Sequence, residues 1–244
     1  MFWNVKCSKQ IPSYVIMGQY SYLAVNLGCI LVPFLFSFHK KYPFYKKWKS
    51  FFYANFIVAI LFIIWDIQFT KMGIWGFNPD YLIGFNISNL PIEEILFFIC
   101  IPYACVFTYF ALSNLFSFSL KIKTQKIISI LFGIICLAIA IYFNNKWYTF
   151  SAFMLSSLIL LYSYFKKTEM SFIYISYLLI IPFFLLSNGI LTGMLTESPI
   201  VWYDGINNIE FRVITIPIED FFYGFSLIAL NILFFQYFDK RLTA

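Results

Sequence analysis

Charge is what this sequence has least of. Only 11% of its 244 residues are Asp, Glu, Lys or Arg, whereas 61% are hydrophobic and 23% aromatic. Soluble domains average roughly 25% charged residues, so the chain reads as an integral membrane protein. Histidine is nearly absent: His39 stands alone at the start of a lysine-rich loop, where a solvated residue is expected rather than a ligand. The five cysteines (Cys7, Cys29, Cys100, Cys105, Cys136) show no CxxC spacing, and four lie in apolar stretches. That pattern supports neither a disulfide framework nor a nitrogen or sulfur metal site. No GxGxxG or P-loop pattern occurs, which argues against bound dinucleotides and nucleotides. Paired carboxylates can hold Mg²⁺ through oxygen, but the Asp-rich motif of prenyl-diphosphate chemistry is missing. Residues 213–239 hold no lysine, which removes the Schiff base of a seven-helix retinal protein. The net charge of +6 does not point to nucleic acid, because the basic residues sit in short loops between apolar runs.

What the chain has in abundance is membrane-length apolar sequence. Seven segments reach the ~20 residues of a spanning helix, at about 15–38, 51–69, 94–116, 127–143, 147–165, 171–191 and 218–238. The first, Val15 to Phe38, is too long for a signal-peptide core and is followed by its stronger positive cluster, so a retained span is expected. Only two connections are long, at about 70–92 and 192–216.

Lysine and arginine set the expected orientation. Lys40, Lys41, Lys46, Lys47, Lys49, Lys121, Lys123, Lys126, Lys166, Lys167, Lys240 and Arg241 fall on one side; Lys6, Lys9, Lys71, Lys146 and Arg212 fall on the other. The positive-inside rule then puts the N-terminus outside and the C-terminus in the cytoplasm, with the cell (inner) membrane as the expected location. Nine of the eleven acidic residues lie in or beside the two long outer loops, and only Glu169 and Asp239 fall elsewhere.

Those loops lead into a repeated stretch. Leu90-Pro91-Ile92-Glu93-Glu94-Ile95-Leu96-Phe97-Phe98 nearly recurs as Ile216-Pro217-Ile218-Glu219-Asp220-Phe221-Phe222-Tyr223. Asp66-x3-Thr70-x-Met72 matches Asn188-x3-Thr192-x-Met194 at an offset of 122, and Phe85 matches Phe211 at an offset of 126. The fold class expected is therefore an all-α membrane protein of about seven spans in a parallel 3+1+3 internal repeat, with repeat A at 15–116, a linking helix at 127–143 and repeat B at 147–238. An odd linking span preserves the sense of the two repeats, so a pseudo-twofold axis along the membrane normal is expected. That axis would set the two carboxylate pairs opposite each other.

A single Pro-x-Glu-Glu is an ordinary helix start, since proline suits the first helical position and acids suit the first turn. Two copies entering membrane spans carry more weight, because intramembrane carboxylates are costly and mark functional sites. Glu93, Glu94, Glu219 and Asp220 are the expected active centre. Close carboxyls in a dry site keep one proton between them, giving one neutral acid and one ionised base. Arg212 is the one cation near the second pair, and its counterpart is the neutral Asn86. It either fixes which partner stays ionised or pairs in the loop with Glu210 or Asp204. Phe97, Phe98, Phe221, Phe222 and Tyr223 follow the acids; aromatic faces stabilise cations, although packing is their commoner role.

Trp65-Asp66, Gly73-Ile74-Trp75-Gly76-Phe77, Pro91-Ile92-Glu93-Glu94, Phe97-Phe98, Asn188-Gly189-x-Leu191-Thr192, Arg212 and Pro217-Ile218-Glu219-Asp220 together resemble the heterodimer-type carotenoid (lycopene) cyclase domain, here with both halves fused. The resemblance covers essentially the whole chain. It implies a redox-neutral isomerase of carotenoid biosynthesis that cyclises the acyclic ends of lycopene to β-rings. A neutral carboxylic acid would protonate the terminal double bond, a neighbouring double bond would attack the cation, and a carboxylate would remove a ring proton. No flavin or metal is needed for that sequence. Asp66, Asn188, Thr70, Thr192 and Arg212 are expected to support the four acids, and Asp220 and Asn188 depart from a fully acidic pattern, so the half-sites need not be equivalent. Lycopene or a related acyclic carotenoid, membrane lipid and other carotenoid-pathway enzymes are the implied partners. The rival from another class is a proton-coupled transporter, which parallel repeats and intramembrane acids also suit; the clustering of acids at one face counts against it. A purely structural partner of carotenoid enzymes would leave the duplicated acids unexplained.

Overall fold

The computed structural model describes residues 18–117 and 119–243. Val15, where the first span was expected to begin, lies outside them, as do Lys6, Cys7 and Lys9. Among the described residues seven helices are long and apolar enough to cross a membrane: α1 (Ser21–Phe36), α2 (Trp48–Lys71), α3 (Ile92–Leu115), α4 (Ile122–Tyr142), α5 (Trp147–Lys166), α6 (Ser171–Leu191) and α7 (Ile218–Thr243). Hydropathy alone stops at a charge, but the hydrogen-bond ladder does not. So α4 starts five residues before the expected 127 and takes in Lys123 and Lys126, and α7 runs past Lys240 and Arg241.

Helix α1 packs on α3 and α5 packs on α7, while α2 packs on α7 and α6 on α3. The second helix of each half therefore leans on the third helix of the other half. Polar side chains bridge these contacts. Asn55 on α2 donates to the Phe98 carbonyl (2.9 Å) and to Asn231 on α7 (3.2 Å), and Ser156 on α5 donates to the Phe222 carbonyl (2.8 Å). Helix α4 lies against α5 through small residues: Ser129, Gly133, Cys136 and Ala140 are on its buried face, and Ser157 donates to the Gly133 carbonyl at 2.8 Å. Small residues permit the close approach that stands in for a hydrophobic drive inside a bilayer.

The two long connections are not irregular. In the first, β1 (Trp75–Phe77) is followed by a hairpin of β2 (Asn86–Ile87) and β3 (Leu90–Pro91); in the second, β4 (Val201–Tyr203) is followed by β5 (Arg212–Val213) and β6 (Ile216–Pro217). Strands β1 and β4 pair antiparallel, with Gly76 opposite Trp202, so the two loops are joined over one end of the bundle. Each hairpin turns on a residue with positive φ, Ser88 at 59° and Ile214 at 62°. Each then hands over to its helix through the same backbone bond, Ile92 N–H to Phe85 and Ile218 N–H to Phe211, both 2.9 Å. Pro91 ends β3 and caps α3 in an extended conformation (φ −65°, ψ 149°), one residue before the first helical position at which proline was expected.

Candidate active site

Adjacent residues on a helix point about 100° apart, and that divides each acidic pair. Glu93 and Glu219 are fully buried and turn toward their own loops. Glu93 Oε1 accepts the Ile83 N–H at 2.7 Å, and Glu219 Oε1 accepts the Ile209 N–H at 2.7 Å and the Thr149 hydroxyl at 2.6 Å. They tie the loops to the first turns of α3 and α7.

Glu94 and Asp220 turn the other way, into a cavity of about 1640 Å³ between α1, α3, α6 and α7. Glu94 accepts the Tyr22 hydroxyl and Asp220 accepts the Tyr148 hydroxyl, the same contact 126 residues apart. Asp220 Oδ2 also accepts the Asn188 amide N–H (2.6 Å) and the Tyr203 hydroxyl (3.0 Å). A third carboxylate, Asp66, lines the same cavity; its Oδ1 accepts the Trp75 indole N–H, and its Oδ2 is buried. Enclosure by protein pushes the Tyr203 phenol well above its ordinary range, and the charge of Asp220 adds to the shift, so Tyr203 stays a proton donor.

Tyr223 completes this end. Its ring packs edge-on against Phe62, Trp65 and Tyr148, and it lines the cavity beside the three carboxylates. Away from them the walls are apolar. Along α3 the lining runs from Glu94 through Phe97, Ile101 and Ala104 to Thr108, about 21 Å of helix. Val32 on α1 and Phe183 and Leu186 on α6 both line the cavity and are exposed on the outer surface of the bundle. The cavity therefore opens sideways between α1 and α6, toward where lipid would lie.

The other residues expected at the site are placed as follows. Thr70 stands one turn after Asp66 on α2, near its carboxyl. Thr192 shares a hydrogen bond with Thr215 (2.7 Å) and donates to the Asn188 carbonyl (2.9 Å), fastening the end of α6 to the hairpin. Arg212 is exposed. It donates to the Thr215 carbonyl (2.7 Å) and lies over the ring of Tyr203, 5.7 Å from the centroid. It lines a smaller pocket outside the cavity, with Val201 and Tyr203 lining both. Tyr22, Tyr148, Tyr203 and Trp75 are the acids' direct partners, and sequence reasoning did not assign them there. Tyr22 and Tyr148 were within reach, since they are matched at the offset of 126 that relates the acids. Among the described residues no group of three or more His, Cys, Asp or Glu side chains is arranged to hold a metal.

The family model for lycopene cyclase matches residues 19–112 and again 145–238. A bifunctional lycopene cyclase/phytoene synthase of Podospora anserina is 34% identical over 62 residues, which are 25% of this chain and 10% of that protein. No solved structure matches. With both halves of the chain covered, and the acids of both halves meeting in one apolar cavity, this protein belongs to the lycopene cyclase family.

Proposed function

We propose that the chain is a lycopene β-cyclase that works by redox-neutral acid–base chemistry at one composite centre built from Glu94, Asp66 and Asp220. The observation that carries this reading is that carboxylates from both halves meet at one end of a long, otherwise apolar cavity. An acyclic carotenoid enters from the bilayer between α1 and α6, with its terminal isoprenoid units among the acids and the rest of its polyene along α3. A carboxylic acid protonates the terminal double bond, ring closure moves the cation inward, and a carboxylate takes the proton that restores the double bond. The aromatic faces of Tyr223 and Trp75 flank the cation, where the ring quadrupole favours positive charge. The residues present complete this cycle without a flavin or a metal.

In this reading the halves form a parallel repeat around a pseudo-twofold axis, supported by the contacts that recur at an offset of 126. The acid-bearing end faces outward and the lysine-rich end faces the cytoplasm, on the twelve-to-five division of lysine and arginine. Expression in a lycopene-accumulating host tests the function. Cyclic carotenoid should replace lycopene. If the chain reaches the membrane and lycopene is unchanged, the reading is wrong. If the purified protein in lipid works only once reduced flavin is added, the cofactor-free mechanism is wrong.

A further inference from the structure

The two cavity-facing acids are related by the offset of 126, yet their surroundings differ in a way that assigns them different jobs. Asp220 is held by three donors on three separate elements: Tyr148 on α5, Asn188 on α6 and Tyr203 on β4. Both of its oxygens are taken as acceptors. A carboxylate that accepts two or three hydrogen bonds is held in its charged form.

Glu94 lacks two of those three donors. The position matching Tyr148 is Tyr22, which does donate to Glu94. The position matching Tyr203 at the same offset is Phe77, which lines the cavity but has no hydroxyl. The position matching Asn188 is Asp66, so an amide donor in one half is replaced by a second acid in the other. Asp66 and Glu94 both line the cavity, and among the described residues no lysine, arginine or histidine lines it with them. Two like charges without a counter-ion in an apolar site keep a proton between them.

Resting on the cyclase reading above, we propose that the Asp66–Glu94 pair is the proton source, with Glu94 delivering it, and that Asp220 is the base that fixes which ring forms. The Glu94 O–H bond breaks as a C–H bond forms at the less substituted carbon of the terminal double bond, leaving a tertiary cation. The electron pair of the nearby internal double bond closes the ring and moves the cation to the far carbon of that bond. Asp220 takes the proton from the ring-junction carbon, and its electron pair restores the double bond as a β-ring. No electrons are gained or lost. The proton then passes back from Asp220 to Glu94 between turnovers. Asp66 acts through Glu94 and is a positioning residue: it keeps the proton on the pair.

The division predicts different failures. Purified protein in lipid vesicles would be given lycopene, with both loss of lycopene and the ring types formed being measured. Wild type serves as the control; if it leaves lycopene untouched, the cyclase reading fails before the division is tested. Glu94→Gln should slow lycopene consumption by roughly 100-fold or more, the low end for a lost general acid, with no new ring type. Asp220→Asn should slow consumption by roughly 100-fold, the low end for a lost general base, and its residual product should shift from β-rings toward ε- or γ-rings or water-capped alcohols, because the cation then loses its proton elsewhere. Asn188→Asp, which replaces a donor to Asp220 by an acid of the same size, should shift the products in the same direction and serves if Asp220→Asn does not accumulate.

Asp66→Asn should lower activity at neutral pH and recover part of it in acidic buffer, since Glu94 then no longer shares its proton. The groups facing Glu94 are Tyr22 from α1, Asp66 from α2, Tyr203 from β4, and Asp220 and Tyr223 from α7. Of these, only the acids change charge in that range. Only β-rings from the residual turnover of Asp220→Asn, altered rings in Glu94→Gln, or an Asp66→Asn profile parallel to wild type would each overturn the assignment.

Discussion

Gly76 sits directly under the indole of Trp202: a Cβ built on Gly76 would lie 2.3 Å from Cζ2 of that ring. The pair is the centre of the antiparallel β1–β4 contact, which Asn78 extends by bonding the Ile200 carbonyl (2.8 Å) and the Ser198 hydroxyl (2.9 Å), so this bridge between the two long loops depends on a missing side chain. Strand glycines of this kind mark close approach. Gly76→Val should push the loops apart and lift Trp75 and Tyr203 from Asp66 and Asp220. The expected result is a loss of activity together with faster proteolysis of the loops in membranes, whereas Gly73→Val, with nothing within 4 Å of its added Cβ but a positive φ, should show only local strain. Equal protease resistance of Gly76→Val and wild type would show that the bridge does not hold the loops.

The four acids of the repeated motif should separate into two classes when replaced singly by amides. Glu94→Gln and Asp220→Asn alter groups that line the cavity, and each should change turnover or products as argued above. Glu93→Gln and Glu219→Gln keep the Oε1 acceptor that binds the Ile83 or Ile209 N–H. Their Oε2 atoms are buried without partners among the described residues, so the amide exchanges one such polar atom for another. Activity should stay within about 10-fold of wild type, below the usual cost of losing a general acid or base, while thermal stability in detergent shifts by a few degrees. A collapse of turnover in Glu93→Gln with unchanged stability would bring that residue into the chemistry.

Much of this is legible in the sequence. Seven apolar runs became seven helices because a bilayer demands backbone self-satisfaction over a fixed length. The motif's duplication pointed to the acids because a charge inside a membrane needs a reason. What periodicity did not convey was direction around the helix: Glu93 and Glu94 are neighbours in the chain, yet one bonds the loop and the other the cavity. The tyrosines were hidden by abundance. Among 18 tyrosines, nothing short of the offset of 126 singles out Tyr22 and Tyr148, and Tyr203 has no tyrosine at its match. The strands of the loops are two or three residues long, too short to alternate visibly, and β1 and β4 pair across more than a hundred residues.

The orientation rests on lysine and arginine and is open to direct measurement. Cys29, Cys100, Cys105 and Cys136 are free, so a cysteine-less background is needed before single cysteines are introduced at exposed loop positions. Positions in the loop before α2, such as Lys40 and Lys41, should be unreactive to impermeant maleimide added to intact cells, and Ser88 in the β2–β3 turn should react. The reverse pattern would invert the orientation and put the acid-bearing end in the cytoplasm.

Gly28 offers a test of the apolar part of the cavity that leaves the acids alone. It lies on α1, six residues beyond Tyr22, or about 9 Å farther from the acids along the helix. It lines the cavity, and a Cβ built on it meets no heavy atom within 4 Å. Gly28→Ala should therefore be tolerated and add about 0.5–1 kcal/mol of helix stability. Gly28→Phe points a ring into the space assigned to the polyene. Because the proton-transfer groups are untouched, the larger side chain should raise the KM for lycopene by roughly 10-fold or more, equivalent to about 1.4 kcal/mol of lost binding, with a smaller effect on kcat. A shorter acyclic substrate that reaches only the acid end should be cyclised by Gly28→Phe and by wild type alike. If Gly28→Phe handles lycopene as wild type does while accumulating normally in the membrane, the polyene does not pass Gly28 on its way along α3 and the substrate path must be sought elsewhere.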